Sequence, residues 1–282
     1  MDLITEAFEP AFMQRSLLAG LIAVVATSLV GTWVVLRGLA FLGDALAHGV
    51  IPGIALAVLW GFSPVIGALG AALLMGVLVS LVSSRQAVRE DTGIGLLFVG
   101  MLSLGIIIIS RSQSFSTEAT TLLFGDVLGV TQGDIRGQMV AAVIVLVASI
   151  VLYRPFMALT FNREKAITLG MRPGLAHAAL MALLAVSIVA SFQAVGTLLV
   201  FGLLVGPPAT ASLVVRRVPW MMLASMGFGA IAVFLGLLVS FHHGTAGGAT
   251  MAGFSVGLFF VVLAVREVVD AVVDRRHRRA MA

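Results

Sequence analysis

Apolar runs separated by short polar segments form the dominant pattern along this chain of 282 residues. Nine of the runs have about the 20 residues that an α-helix needs to cross a bilayer. They cover 14–36, 39–60, 63–84, 93–110, 137–153, 174–192, 195–215, 220–241 and 249–270. The pattern predicts an all-α, polytopic helical membrane protein with eight or nine transmembrane helices, in which residues 1–282 form a single transmembrane domain.

The composition strengthens this prediction. Hydrophobic residues make up 60% of the chain and charged residues 11%, whereas a soluble domain has about 25% charged residues. The chain contains no cysteine, which excludes disulfides, thiolate metal ligands and a cysteine nucleophile. Its first residues are acidic and lack the basic segment that begins a signal peptide, so a signal peptide is not expected.

Lysine and arginine are distributed unevenly between the segments that join the runs. In a nine-helix topology only Arg15, Arg111 and Arg136 fall on one side, and the rest of the 17 basic residues fall on the other. Because basic residues accumulate in cytoplasmic segments, we expect an external amino terminus and a cytoplasmic carboxyl terminus. The basic tail 271–282 is then expected to contact anionic lipid at the cytoplasmic surface, and not nucleic acid.

Two local features depart from the apolar pattern. Residues 162–171 are charged, with Asn162 suited to cap a helix and Gly170 suited to end it, so a short helix is expected at the cytoplasmic surface. Pro207 and Pro208 lie inside the seventh run and remove two amide donors. The seventh helix is therefore expected to be kinked or broken at these prolines.

Asp44 and His48 are the most informative chemical feature, because they are ionisable residues inside an apolar run. Four residues apart on a helix, their side chains lie on one face, and an ionisable residue in a membrane span marks an ion or substrate pathway by default. A carboxylate beside an imidazole suits a first-row divalent cation. The alternative is structural: Asp44 would cap a helix that begins at Ala45, and His48 would bond to a nearby carbonyl group.

Motifs for nucleotide hydrolysis and for hydrolytic catalysis are absent from the sequence. The only lysine, Lys165, follows a glutamate, so the chain has no Gly-Lys-Ser/Thr phosphate-binding loop. The His-Glu-x-x-His and Gly-x-Ser-x-Gly patterns of zinc proteases and serine hydrolases are also absent. The chain is therefore interpreted as a transport subunit and not as an enzyme, and any ATP would be hydrolysed by a separate chain.

Several segments together resemble the permeases of zinc, manganese and iron ABC importers. They are GTWVVLRG (31–38), GDALAHGVIPG (43–53), LFGD (123–126), EKA (164–166) followed by Gly170, VGTLLV (195–200) and PPATA (207–211). Their order and spacing cover most of residues 14–265. The segment that contains Asp44 and His48 is the most specific of them.

The resemblance implies a set of partners and site residues. A second copy of the chain, two cytoplasmic ATP-binding subunits and an extracytoplasmic metal-binding protein would assemble with it at the cytoplasmic membrane. Asp44 and His48 would bind the transported ion, and the 162–171 helix would couple the permease to the ATPase. The coupling residues implied on that helix are Glu164, Lys165, Ala166 and Gly170. No cofactor would be bound permanently, since the metal is cargo and ATP is bound by the partner subunit.

One segment departs from the family pattern and bears on the choice of metal. Near the end of the eighth run the family often has a Ser-Tyr pair leading to Pro-Ser-Gly, whereas here Ser240 is followed by Phe241, His242 and His243. The two histidines are candidate metal ligands near the entrance; imidazole favours zinc, whereas carboxylate suits manganese. We therefore expect import of a divalent transition metal, zinc first and manganese next. The alternatives are an ion-coupled secondary carrier and an intramembrane metal-dependent hydrolase.

Overall fold

The computed structural model of the protein describes residues 6–83, 90–110, 129–161, 167 and 171–280. Regular structure within these ranges is helical, and the described residues contain no β-strand. Their helices of nine or more residues are α1 (Ala11–Leu36), α2 (Ala40–Gly49), α3 (Ile51–Trp60), α4 (Pro64–Ser83), α5 (Glu90–Ile109), α6 (Gln132–Val151), α7 (Tyr153–Phe161), α8 (Pro173–Val214), α9 (Val218–His243) and α10 (Gly247–Ala280).

Eight helical segments among the described residues are long and apolar enough to cross a bilayer. They lie in α1, in α2 and α3 taken together, and in α4, α5, α6, α8, α9 and α10. A ninth, shorter apolar segment, Leu199–Val214, forms the end of α8. Each of the nine predicted runs therefore corresponds to a helical segment, and the predicted all-α membrane architecture is confirmed.

Helix α8 extends over 42 residues, but its contacts require it to turn back on itself. Near its start, His177 Nδ1 lies 3.1 Å from Nη1 of Arg37, the residue that follows α1. Farther along α8, Leu204 packs against Gly31, which precedes Arg37 on α1 by about two turns. A straight helix would separate His177 from Leu204 by about 40 Å, too far for both contacts to form.

The reversal lies between Phe192 and Leu204. Phe192 belongs to an apolar cluster with Ile54 of α3, whereas Leu204 packs against Gly43, near the start of α2. The chain therefore runs along the α2–α3 pair in one direction and then returns. This reversal is expected if the sixth and seventh predicted runs are two separate membrane spans. We call the two arms α8a (Pro173–Phe192) and α8b (Leu199–Val214).

The span was predicted to be kinked or broken at Pro207 and Pro208; it is not broken there, because both prolines lie inside a helix that continues to the end of α8b, and a kink stays a prediction. Pro208 has no amide hydrogen, so the carbonyl group of Leu204 lacks its usual intrahelical donor. That carbonyl group instead lies against Gly31 of α1. Packing of α8b against its neighbours thus maintains the helix through the prolines, as is common where a proline-containing membrane helix is surrounded by other helices.

The direction of the helices follows from contacts between α1 and α9. Gly20 packs against Val233, and Val24, one turn later, packs against Gly229, one turn earlier. The two helices are therefore antiparallel, and the carboxyl end of α1 lies at the opposite end of the bundle from the carboxyl end of α9.

We call the two ends of the bundle the Arg37 end, where α1 stops, and the His242 end, where α9 stops. Among the described arginines, Arg37, Arg172, Arg216 and Arg217 flank helices at the Arg37 end, and Arg154 lies in the first turn of α7 at the same end. Arg15 and Arg136 lie at the His242 end, in the first turns of α1 and α6. This separation matches the predicted division of basic residues, and which end faces the cytoplasm stays a prediction.

Candidate functional site

Asp44 and His48 lie on α2, in the half of the α2–α3 span nearer the Arg37 end. Helix α2 begins at Ala40, so a turn of helix already precedes Asp44. The alternative in which Asp44 caps a helix beginning at Ala45 is therefore wrong. The two side chains meet across one turn, with His48 Nε2 3.5 Å from Asp44 Oδ1.

The pair lies on the only open stripe of α2. The Asp44 and His48 side chains are 28% and 24% exposed, and Phe41, one turn before Asp44, is 44% exposed. The three residues between the pair, Ala45, Leu46 and Ala47, are fully buried. Helix α2 thus directs its apolar faces into the bundle, while its ionisable face is only partly covered by the rest of the chain.

The separation of the two donor atoms suits a shared metal ion. Two ligands of a tetrahedral ion, each about 2.1 Å from it, lie about 3.4 Å apart. The observed distance between His48 Nε2 and Asp44 Oδ1 is 3.5 Å. An ionised carboxylate and a neutral imidazole at this spacing can coordinate one cation together with only small side-chain movement.

Phe98 of α5 forms the wall beside the pair. Its ring packs edge-to-face against the His48 imidazole, with centroids 5.8 Å apart, and against Phe41 at 5.7 Å. His48 Nδ1 is buried and has no hydrogen-bond partner. The orientation of the imidazole is therefore set by contact with Phe98 and by the Asp44 carboxylate. Sequence reasoning did not identify Phe98, because an isolated phenylalanine in an apolar run carries no distinguishing signal.

Two glycines hold α2 tightly against the bundle on either side of the pair. A Cβ at Gly43 would overlap the Leu204 side chain of α8b, and a Cβ at Gly49 would overlap the sulfur of Met75 in α4. These close approaches fix the rotation of α2 about its axis. They thereby determine where the ionisable stripe points.

This chain places two candidate metal ligands, Asp44 and His48, at the site. Among the described residues, no group of three or more His, Asp or Glu side chains is arranged to hold a metal ion. Two ligands give a weak, exchangeable site, which suits an ion that must enter and leave.

His242 and His243 lie apart from this pair, in the last turn of α9 at the His242 end. About 20 Å of helix separates that end from His48 along the bundle. Both histidines are exposed, and His242 Nδ1 lies 2.9 Å from the Leu238 carbonyl oxygen. Because a carbonyl oxygen only accepts, Nδ1 is the donor in this contact, and in a neutral imidazole Nε2 then carries the lone pair that can bind a ligand.

The predicted coupling residues Glu164, Lys165, Ala166 and Gly170 lie outside the described residues. Ile167, within the same segment, is helical and 59% exposed.

The neighbouring end of α8a is anchored by the contact between Arg37 and His177. His177 therefore packs between α1 and α8a at the Arg37 end.

Comparison with known proteins identifies the family. Residues 9–266 match the family model described as the ABC 3 transport family. The chain belongs to the ABC 3 transport family. The manganese import system permease protein ScaB of Streptococcus parasanguinis is 34% identical over 251 residues, which cover 89% of each chain. The chelated iron transport system membrane protein YfeD of Yersinia pestis is 32% identical over 275 residues, covering 98% of this chain and 92% of YfeD.

A solved structure extends the likeness to three dimensions. The structure described as PsaBC from Streptococcus pneumoniae in complex with Fab matches with a TM-score of 0.82 and 30% identity, covering 93% of this chain and 94% of that chain. The resemblance to metal-importer permeases is therefore confirmed. This ABC 3 family member is a multi-pass transport subunit of the cell membrane and not an enzyme, which argues against the secondary-carrier and hydrolase alternatives.

Proposed function

We propose that this ABC 3 permease moves a first-row divalent metal ion across the cell membrane along a path lined by Asp44 and His48. The observation that carries the proposal is the pair itself: two donor atoms 3.5 Å apart on the open stripe of an otherwise buried helix. Ionisable residues inside a membrane span are costly, and by default they mark an ion or substrate pathway.

A second copy of the chain would complete the coordination. A divalent ion of this class takes four or more ligands, and one chain supplies two. Oligomers of this kind are mostly two-fold symmetric, and a two-fold interface brings the same surface of each copy together. Two copies of the Asp44 and His48 stripe facing one axis would provide two carboxylates and two imidazoles.

Manganese and iron are the cargoes that the relatives' names support, and zinc stays a prediction. ScaB is named for manganese import and YfeD for chelated iron transport. The argument for zinc depended on the additional histidines, His242 and His243, which lie at the other end of the bundle from Asp44 and His48. One carboxylate with one imidazole accommodates manganese, iron or zinc.

His242 and His243 would act before the membrane site. Under the predicted orientation the His242 end faces outside, so an ion released by an extracytoplasmic metal-binding protein would meet these exposed imidazoles first. The available lone pair on His242 Nε2 suits transient capture. The ion would then pass towards Asp44 and His48 as the two copies change conformation.

Energy for this movement would come from ATP bound by two cytoplasmic subunits. Helix α8a begins at the Arg37 end, and under the predicted orientation this end faces the cytoplasm. A charged helix there, with Glu164 and Lys165, would transmit closure of the ATPases to α8a. No cofactor needs to stay bound to the permease itself.

Metal accumulation in cells tests the proposal directly. Cells that lack this chain and cells that express it are compared for manganese, iron and zinc content under limitation of each metal. The proposal expects the chain to restore manganese most strongly. Restoration of zinc alone would return the assignment to zinc, and no change in any of the three metals would refute metal import.

A further inference from the structure

Arg15 and Arg136 line one cavity at the His242 end of the bundle, although they belong to different helices. The cavity has a volume of about 610 Å³ and lies between the first turns of α1 and α6. Gln14 and Gln132 also line it, as do the apolar side chains of Leu18 and Ile135. Val130 and Ile135 pack with Ala19 of α1, and this contact joins the two helices beside the cavity.

Within the described ranges, neither Arg15 nor Arg136 forms an ion pair with an acidic side chain. The ion pairs among the described residues are those of Asp44 with His48 and of Arg266 with Asp270. The nearest acid in the α6 sequence, Asp134, is occupied, because its Oδ2 accepts hydrogen bonds from Thr131 N and Oγ1. Two guanidinium groups therefore lie beside one cavity, and no ion pair to either of them is present among the described residues.

Apolar surface continues from the cavity along both helices. On α6, Met139, Val140 and Val143 follow Arg136 on the same face and are 49%, 61% and 53% exposed. On α1, Leu18 follows Arg15 by one turn and is 46% exposed. A cationic opening above an exposed apolar strip matches the arrangement of a phospholipid, with its headgroup at the helix ends and its acyl chains beside them.

We propose that Arg15 and Arg136 bind the phosphate group of an anionic phospholipid, with the acyl chains lying along the exposed strip of α1 and α6. Guanidinium groups bind phosphate oxygens in pairs of parallel hydrogen bonds, and the two glutamine side chains can donate further hydrogen bonds to the glycerol or headgroup oxygens. The lipid would tie the amino-terminal ends of α1 and α6 together. Under the predicted orientation it belongs to the outer leaflet, where basic residues otherwise are rare in this chain.

The experiment uses the natural absence of cysteine. Leu18→Cys introduces a single thiol in the cavity, to which a benzophenone photoreagent is attached. The full-length protein is placed in nanodiscs of equal phosphatidylglycerol and phosphatidylcholine, irradiated, and the cross-linked lipid is identified by mass spectrometry. We expect phosphatidylglycerol to be enriched about tenfold over phosphatidylcholine, from the attraction of two basic residues for anionic lipid.

Arginine substitutions and competition by inorganic phosphate distinguish lipid binding at this site from a general attraction between the protein and anionic lipid. Arg15→Gln with Arg136→Gln should abolish the enrichment, whereas Arg154→Gln with Arg217→Gln removes two exposed arginines from the Arg37 end and should leave it unchanged. Equal cross-linking of both lipids to the Leu18→Cys protein that retains Arg15 and Arg136 would overturn the proposal. Displacement of the lipid by excess inorganic phosphate would also overturn it, because the site would then be one for free phosphate.

Discussion

The carbonyl oxygen of Leu204 lies directly against the Cα of Gly31, where the Cβ of any other residue would overlap it. Pro208, four residues after Leu204, removes the amide that would otherwise bind this oxygen. The contact therefore joins α1 to α8b at the point where α8b has lost an internal hydrogen bond. Since Leu204 also packs against Gly43 of α2, the same contact sets the position of the helix that carries Asp44.

Gly31→Ala tests this contact. The added methyl group has no space beside the Leu204 carbonyl group, so the helices must move apart, at a cost of about 1–3 kcal/mol. We expect the Tm of the purified protein in detergent to fall by several degrees. The matched control is Gly227→Ala, at an exposed helical glycine with open space around it. If the Tm of the Gly31→Ala variant is no lower than that of the unsubstituted protein and of the control, α1 and α8b do not approach as closely as described.

The arrangement of the helices could be predicted from sequence only in part. The nine apolar runs identify nine helical segments, because burial in lipid requires long apolar helices whatever their neighbours. The continuity of α8b through Pro207 and Pro208 was not predictable, because it depends on Gly31, some 170 residues earlier in the chain. Local rules for proline describe an isolated helix, whereas here the surrounding helices determine whether α8b continues through the prolines.

The candidate site, like the helix arrangement, could be predicted from the sequence only in part. The spacing of Asp44 and His48 was sufficient to place both side chains on one face, because an α-helix brings residues four apart together. The contribution of Phe98 comes from packing between α2 and α5, and no spacing rule connects residues so far apart. The sequence also placed His242 and His243 near the entrance and apart from Asp44 and His48, and the fold agrees, with about 20 Å of helix between the two pairs.

Phe98→Ala should weaken metal uptake although Phe98 offers no ligand. Loss of the ring removes the wall that orients the His48 imidazole, and loss of a residue that orients a ligand commonly costs about tenfold or more in metal affinity or activity. Uptake of radioactive manganese is measured against its external concentration. Phe62→Ala, at a partly exposed ring beyond α3, serves as control. If the two variants behave alike, Phe98 has no positioning role.

His242→Ala combined with His243→Ala tests the proposed capture step. We expect the external metal concentration for half-maximal uptake to rise, while the maximal rate stays near that of the unsubstituted protein. The reason is that an entrance ligand affects capture more than the conformational cycle. Initial rates over a range of metal concentrations distinguish the two parameters. Unchanged half-saturation would reduce the pair to solvated residues at the end of α9.

Glu164→Arg should uncouple ATP hydrolysis from transport if the 162–171 segment contacts the ATPase. Reversal of charge on a surface helix would disturb its docking while leaving the membrane helices intact. Purified complexes are assayed for ATP hydrolysis and for metal transport in the same vesicles. Cysteine cross-linking gives an independent check: Ala166→Cys should link to the ATPase, and efficient linking from Ala87→Cys alone would move the coupling site to the connection between α4 and α5.

Metal uptake by the Asp44→Ala and His48→Ala variants tests the central claim most directly. Each variant is expressed at the level of the unsubstituted protein, and its membrane insertion and assembly are verified, because removing an ionisable group from a span does not oppose insertion. The account predicts that each single substitution abolishes uptake of radioactive manganese, zinc and iron alike, since the ion loses one of its two ligands on this chain. Normal uptake of all three metals by both variants would contradict it.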